Sequence, residues 1–220
     1  MDAGNEVAGD AVNDGDDEID ELLCDAQATT ESLVAGGFDS FADVVEIVAD
    51  QLDDAYDLLG REPKVTVTEM ALRMVAERWK SQLHAQASWS ELTDCDRLDA
   101  AFSELDDRRI VARQNFWCCQ SCALSHIWKE ADGWPGDPRG YVLYHQQATE
   151  HAAVEGDDLW LSYGSSDQQD DTVVVIANEV VAVLKDYGLD ASWNGDRATK
   201  IRVVLHWQRR LPPTPAQLLS

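Results

Sequence analysis

Residues 140–145, GYVLYH, set apolar side chains behind a glycine, and the same character returns in residues 159–164, LWLSYG, and 200–207, KIRVVLHW. β-Branched and aromatic residues bounded by Gly, Asp and Pro suit a pleated, half-buried surface, so all three stretches are expected to be strands. The chain ahead of them reads differently. Thr66-Val67-Thr68-Glu69 has the form of a capping box, and Leu72, Val75, Trp79 and Leu83 follow on one helical face. Residues 93–105, TDCDRLDAAFSEL, predict a helix opening at Thr93, with Asp94 and Asp96 near its positive end and Leu98, Ala101, Phe102 and Leu105 as its buried stripe.

Further upstream, Phe41, Val44, Val48, Leu52, Tyr56 and Leu59 repeat at helical spacing behind Asp39 as the cap, and Gly60 and Pro63 end the run. A weaker helix is expected around Ile19, Leu22, Leu23 and Ala26, closing near Gly36. Residues 171–188 keep helical spacing at Ile176, Val180, Val183 and Leu184 up to Gly188 and are read as a helix between strands. The fold class is therefore α+β, with a helical N-terminal part packed with a small antiparallel sheet that helices cover. Along the chain this gives a disordered acidic arm over 1–18, an acidic helical segment over 19–62, an α+β domain over 63–210 and a loose tail over 211–220. One shared core is expected, joining Trp79, Leu83, Phe102 and Leu105 to Val142, Leu159 and Val204.

The 220 residues carry a formal net charge of −25, placed unevenly: residues 1–60 hold 18 Asp or Glu and no Lys or Arg. Such a balance disfavours nucleic acid and anionic membrane surfaces, and it points instead to a protein partner docking through the acidic N-terminal region. No apolar run reaches the roughly 18–20 residues of a membrane span, and the acidic N-terminus is unlike a secretory signal, so a cytoplasmic location is expected. Five cysteines without an export signal are expected to be reduced thiols or metal ligands. The basic cluster Arg197, Lys200, Arg202, Arg209 and Arg210 is expected as a solvated strand face or a counterpart for the acidic arm.

The segment with chemical potential is RQNFWCCQSCALSHIWKE, residues 113–130. Thiolates and imidazoles are zinc's preferred ligands, so Cys118, Cys119, Cys122 and His126 are candidate metal ligands, with His145 as a distant fourth and zinc as the cofactor. A helix beginning near Cys118 would put Cys118, Cys122 and His126 on one face. Two other readings stay open: packing of small apolar thiols in a core, or a redox or nucleophilic thiol in the C-x-x-C formed by Cys119 and Cys122, which lacks an evident βαβ context. Cys95, flanked by carboxylates that would raise its pKa, is expected to be structural. His145 and His151 with Glu150 form a weaker acid–base candidate. No nucleophile elbow, phosphate loop, dinucleotide fingerprint or H-E-x-x-H is present.

TDCDRLDAAFSEL, IVARQNFWCCQSC, GYVLYHQQATEHAAVEG, LWLSYG and the terminal W-x-R-R together resemble a bacterial family known as domain of unknown function 6891, over roughly residues 65–210. In that family glycine usually follows the third cysteine, where this chain has Ala123, so the turn expected there is put in question while the thiols are not. The resemblance implies no activity. The expected function is a non-enzymatic protein-binding or regulatory module, with a thiol- or metal-dependent enzyme centred on the Cys-Cys-x-x-Cys segment as the alternative.

Overall fold

Three of the early helices open on a side-chain cap. Ser40 accepts from the Asp43 amide at 3.2 Å while its own amide donates to the Asp43 carboxylate, and Thr93 and Asp96 repeat the reciprocal arrangement. The first of these caps lies one residue after Asp39, because the reciprocal partner three positions on is available to Ser40. Thr66 likewise accepts from the Glu69 amide. The computed structural model describes residues 14–213 apart from 133 and 135. Its helices α1 (Asp14–Gly36), α2 (Phe41–Leu59), α3 (Val67–Gln86) and α4 (Asp94–Asp107) precede any strand. Then follow β1 (Ile110–Arg113), α5 (Gln120–His126), β2 (Gly140–Leu143), α6 (Gln146–Glu150), β3 (Leu159–Ser165), α7 (Asp170–Asp186), β4 (Asp190–Ser192) and β5 (Ile201–Val204). The expected disordered arm lies outside the described residues up to 13, whereas 14–18 are already helical in α1. None of the described helices is long and apolar enough to cross a membrane.

The five strands form one sheet in the order β1-β2-β3-β5-β4. All neighbours are antiparallel except β1 and β2, which run parallel with Ile110 opposite Gly140. The architecture is α+β as expected, and two strands are additions: β1 and β4 are four and three residues long, too short to display alternation. Parallel neighbours need a crossover, and β1–α5–β2 supplies it. The cysteine-rich segment is that crossover, so the βαβ context absent from the sequence reading exists.

Two large cores and a small third cluster replace the single core expected. In the first, Leu98, Phe102 and Leu105 of α4 and Ile176, Val180 and Leu184 of α7 cover the sheet face that carries Val142, Leu159, Leu161 and Val203. In the second, α1, α2 and α3 close on Trp79, whose ring meets Phe41 edge-on at 5.3 Å. Trp79 therefore packs among helices and not against strands. Its helix is rotated so that Ala71, Val75 and Gln82 are buried with it while Leu72 faces solvent, and Val204 sits on the outer face of β5. On that outer face α5 covers only the β1–β2 end, where Ala123 and Ile127 pack on Val111 and Leu143. Trp160, Arg202 and Val204 leave the rest of it open.

A strap formed by residues 205–211 joins the two cores. Trp207 donates to the Ala35 carbonyl at 3.1 Å, Arg209 grips Asp99 with two bonds of 3.0 and 2.6 Å, and Arg210 meets Asp96 at 2.5 Å. Leu211, placed by sequence at the start of a loose tail, is buried in the helical core. Residues 214–220 of that tail lie outside the described residues.

Candidate functional site

The parallel pair positions the site. After β1 the chain must leave the sheet and start α5, and it does so through two left-handed residues, Asn115 (φ 48°) and Trp117 (φ 62°). A bulky aromatic in that region is strained, and such strain persists only where surrounding contacts fix it. The contacts here are specific. Phe116 donates to the Tyr144 carbonyl at 2.9 Å, Thr149 donates to the Asn115 side-chain oxygen at 2.8 Å, and the Trp117 carbonyl accepts from Gln146 at 2.9 Å. The turn at Trp117 delays the helix to Gln120, so Cys118 and Cys119 stand before it and Cys119 is its N-cap. The single helical face expected for Cys118, Cys122 and His126 is thereby replaced by a loop folded back on the first turn.

That fold-back gathers Cys118, Cys119 and Cys122 so that their sulfurs lie within 4.8 Å of one another. Cys118 is exposed and the other two are partly exposed, so these thiols are not small core residues. Hydrogen bonding divides them. The Ser121 hydroxyl at 3.2 Å, with the Cys122 amide and thiol, holds the Cys119 thiol down to about 6, and sharing its proton with Cys119 pushes Cys122 up to about 11. Cys119 is thus a thiolate at neutral pH beside a proton-bearing neighbour. Ala123, where the resembling family has glycine, lies inside α5 with its amide on the Cys119 carbonyl at 3.0 Å, so no turn follows Cys122.

Neither candidate histidine joins the three sulfurs. The His126 ring stacks on Trp117 with centroids 3.9 Å apart, and its Nδ1 lies 2.9 Å from the Cys122 carbonyl, which can only accept. The Ser125 hydroxyl lies 2.8 Å from the same nitrogen. His145 follows β2 as Cys118 follows β1. It caps α6, its Nδ1 accepting from the Ala148 amide at 3.3 Å, and it lines a separate hollow with His151 and Lys200. The two positions adjoin through the backbone, since Gln147 donates to the Cys118 carbonyl at 3.4 Å. Thiols and imidazole thus occupy the carboxyl ends of the two parallel strands, the edge where open sheets with parallel strands place their ligands.

Cys95 is buried beneath the strap, and burial, more than the flanking carboxylates, pushes its thiol up to about 11. Sequence reasoning missed Lys200 as a site residue, and the signal that finds it is an ion-pair census. Arg197, Arg202, Arg209 and Arg210 pair with Asp170, Asp158, Asp99 and Asp96, none of which lies in the acidic N-terminal region. No described carboxylate pairs with Lys200.

No curated protein and no solved structure matches the chain. The sequence profile of one family does, from residue 19 to residue 211, spanning the three-helix core as well as the sheet and ending on the buried Leu211 of the strap. By that match the chain belongs to the family described as domain of unknown function DUF6891.

Proposed function

We propose that the chain is a cytoplasmic, non-enzymatic regulatory module that holds zinc on Cys118, Cys119 and Cys122 and docks a protein partner through its acidic helices. The observation that carries the reading is the convergence of three accessible sulfurs within 4.8 Å. Thiolate sulfur is a preferred zinc ligand, and three such ligands leave the fourth tetrahedral position to water or to a group brought by a partner. Cys119 offers a thiolate at neutral pH, and metal binding displaces the proton held by Cys122. A reducing compartment suits exposed thiols that remain free. For the partner, Asp43, Glu46, Asp50, Asp53, Asp54 and Asp57 of α2 all face solvent, which favours a basic surface opposite.

The test is metal analysis of protein purified without chelator. About one zinc per chain is expected, with the metal lost in Cys118→Ser and Cys122→Ser and kept in Cys24→Ser. Protein that arrives metal-free, and whose thiols react identically with and without added zinc, would sink the proposal.

A second reading, thiol-dependent catalysis, is favoured by the opposed shifts of Cys119 and Cys122. The Cys119 thiolate would attack a disulfide and release one of its halves as a thiol. The Cys122 thiol would then lose its proton, attack Cys119 and release the second half, so that the substrate is reduced and the pair oxidised. Accumulation of a mixed disulfide on Cys119 in Cys122→Ser, with none in the wild-type chain, distinguishes this reading from metal binding.

A further inference from the structure

We propose that the open half of the outer sheet face, centred on Lys200, binds a small molecule that joins a flat aromatic ring to an anionic group. This inference does not rest on the zinc reading. Two hollows of about 280 and 400 Å³ meet at Trp160 and Lys200. The first adds His145 and His151 from the segment after β2, and the second adds Trp193 and Arg202 from the β4–β5 edge. Together they have the size of a site for one small metabolite.

The floor is set by register. Trp160 faces Arg202 across β3 and β5, and side chains alternate, so Trp160, Ser162 and Arg202 share the outer face. Trp160 is 44% exposed there, a broad indole surface on which a ring can stack. Trp193 lines the second hollow with it and makes an edge-on contact with Tyr163 at 5.7 Å.

The anion subsite follows from the charges. Lys200 is half-buried, and burial lowers its pKa with no carboxylate opposing the shift. Of the two carboxylates of the first hollow, Asp158 is neutralised by Arg202, from which it accepts at 2.5 Å, and Asp157 lies on the solvent side, 3.9 Å from the exposed His151. In a chain of net charge −25, a partly desolvated ammonium without a counter-ion beside a concavity is an uncompensated cost that a bound anion removes. His145 adds a donor: its Nδ1 accepts from Ala148, so the proton is on Nε2, and burial and Lys200 keep the ring neutral. Ser162 is buried on the same face, and its hydroxyl has no hydrogen-bond partner among the described residues. A phosphate or carboxylate meets Lys200 and the imidazole N–H, and the attached ring lies on Trp160.

The experiment is calorimetric titration of the full chain with adenosine monophosphate and, separately, with 4-hydroxybenzoate, so that phosphate and carboxylate are told apart. Adenosine and inorganic phosphate serve as the ring-only and anion-only controls. Saturable binding of at least one of the two ring-bearing anions is expected, with adenosine and phosphate each far weaker. Lys200→Met should weaken it by about tenfold or more, as expected for the loss of a charge-assisted bond. Trp160→Leu should weaken it as well. Arg197→Gln, which breaks the pair with Asp170 outside both hollows, should bind as the wild type does. An unchanged thermal midpoint in Lys200→Met confirms that the variant is folded. Failure of both ring-bearing anions at millimolar concentration, or equal binding by Lys200→Met, would overturn the proposal.

Discussion

Compare the start of α4 with the start of α5. The first opens on Thr93, whose hydroxyl and amide exchange bonds with Asp96, and its cysteine, Cys95, is buried one turn deep under the C-terminal strap. The second opens on Cys119, which makes no side-chain cap bond to its helix and leaves its sulfur among two others. The start of α6 resembles the second, with His145 in the capping position. In the first half of the chain the helix starts carry the residues that stability prefers. At the ends of the parallel strands the same positions carry a thiol and an imidazole, residues that cap weakly and react readily. Where a fold departs from the better local choice, chemistry is the reason to test.

The largest contrast is in reactivity. With Cys119 near 6 and Cys95 near 11, the thiolate fractions at pH 7 differ by about four orders of magnitude, and Cys95 is also inaccessible. Iodoacetamide followed by peptide mass spectrometry should label Cys119 first and Cys95 only on unfolding. Comparable labelling of the two would erase the distinction. The thiols also pull stability in opposite directions with pH. From an ordinary value of 9.0, the depressed Cys119 contributes stability that is complete above pH 9 and is lost as pH falls through about 6. The raised Cys95 contributes stability that is complete below pH 9 and is lost as pH rises through about 11. Denaturant titrations of Cys119→Ser and Cys95→Ala across that range separate the two limbs.

Removing a true cap should come next in size. Thr93→Ala is expected to cost about 1–2 kcal/mol, because a buried hydroxyl that accepts from the Asp96 amide and donates to the Asp96 carboxylate is lost. Ser40→Ala, at a more exposed cap, should cost about 0.5–1 kcal/mol. The smallest stability effect sharpens the comparison most: His145→Asn, and Cys119→Ser measured below pH 6 where the thiolate no longer contributes, install better caps and should leave stability within about 0.5 kcal/mol of wild type or slightly above it. Their losses should appear instead in anion binding and in zinc content. A large destabilisation in either variant would mean that these residues hold the fold.

Much of the helical half is legible because its signals are local. The stripe of α4 and the cap at Thr93 need only a dozen residues of sequence, and both are found where expected. The sheet half is less legible because its decisive events are non-local. Residues 110–113, IVAR, look like nothing in particular until they pair with residues 140–143. Without that pairing the crossover is invisible, and so is the reason that Cys118 and His145 lie at one edge. The helix expected from Cys118 fails for a different reason: Trp117 adopts a left-handed conformation that no propensity favours and that tertiary contacts enforce. The partners of the basic cluster are likewise a matter of fold, since Arg209 reaches Asp99 across 110 residues.

The strap gives the molecule an order of assembly. Helices α1 to α3 leave the ribosome before the strands and can gather around Trp79 while the strands are still being made. Their last contacts, Trp207 on Ala35 and Leu211 beside Gln86, join residues 172 and 125 positions apart and close only once the strap itself has been made. Until then the helical core lacks Leu211 and the sheet core lacks Trp207, so nascent chains display apolar surface that the finished protein hides. Chaperone occupancy on ribosome-bound chains should therefore persist through residue 204 and fall once the strap is released, long after the last helix of the helical core ends at residue 86.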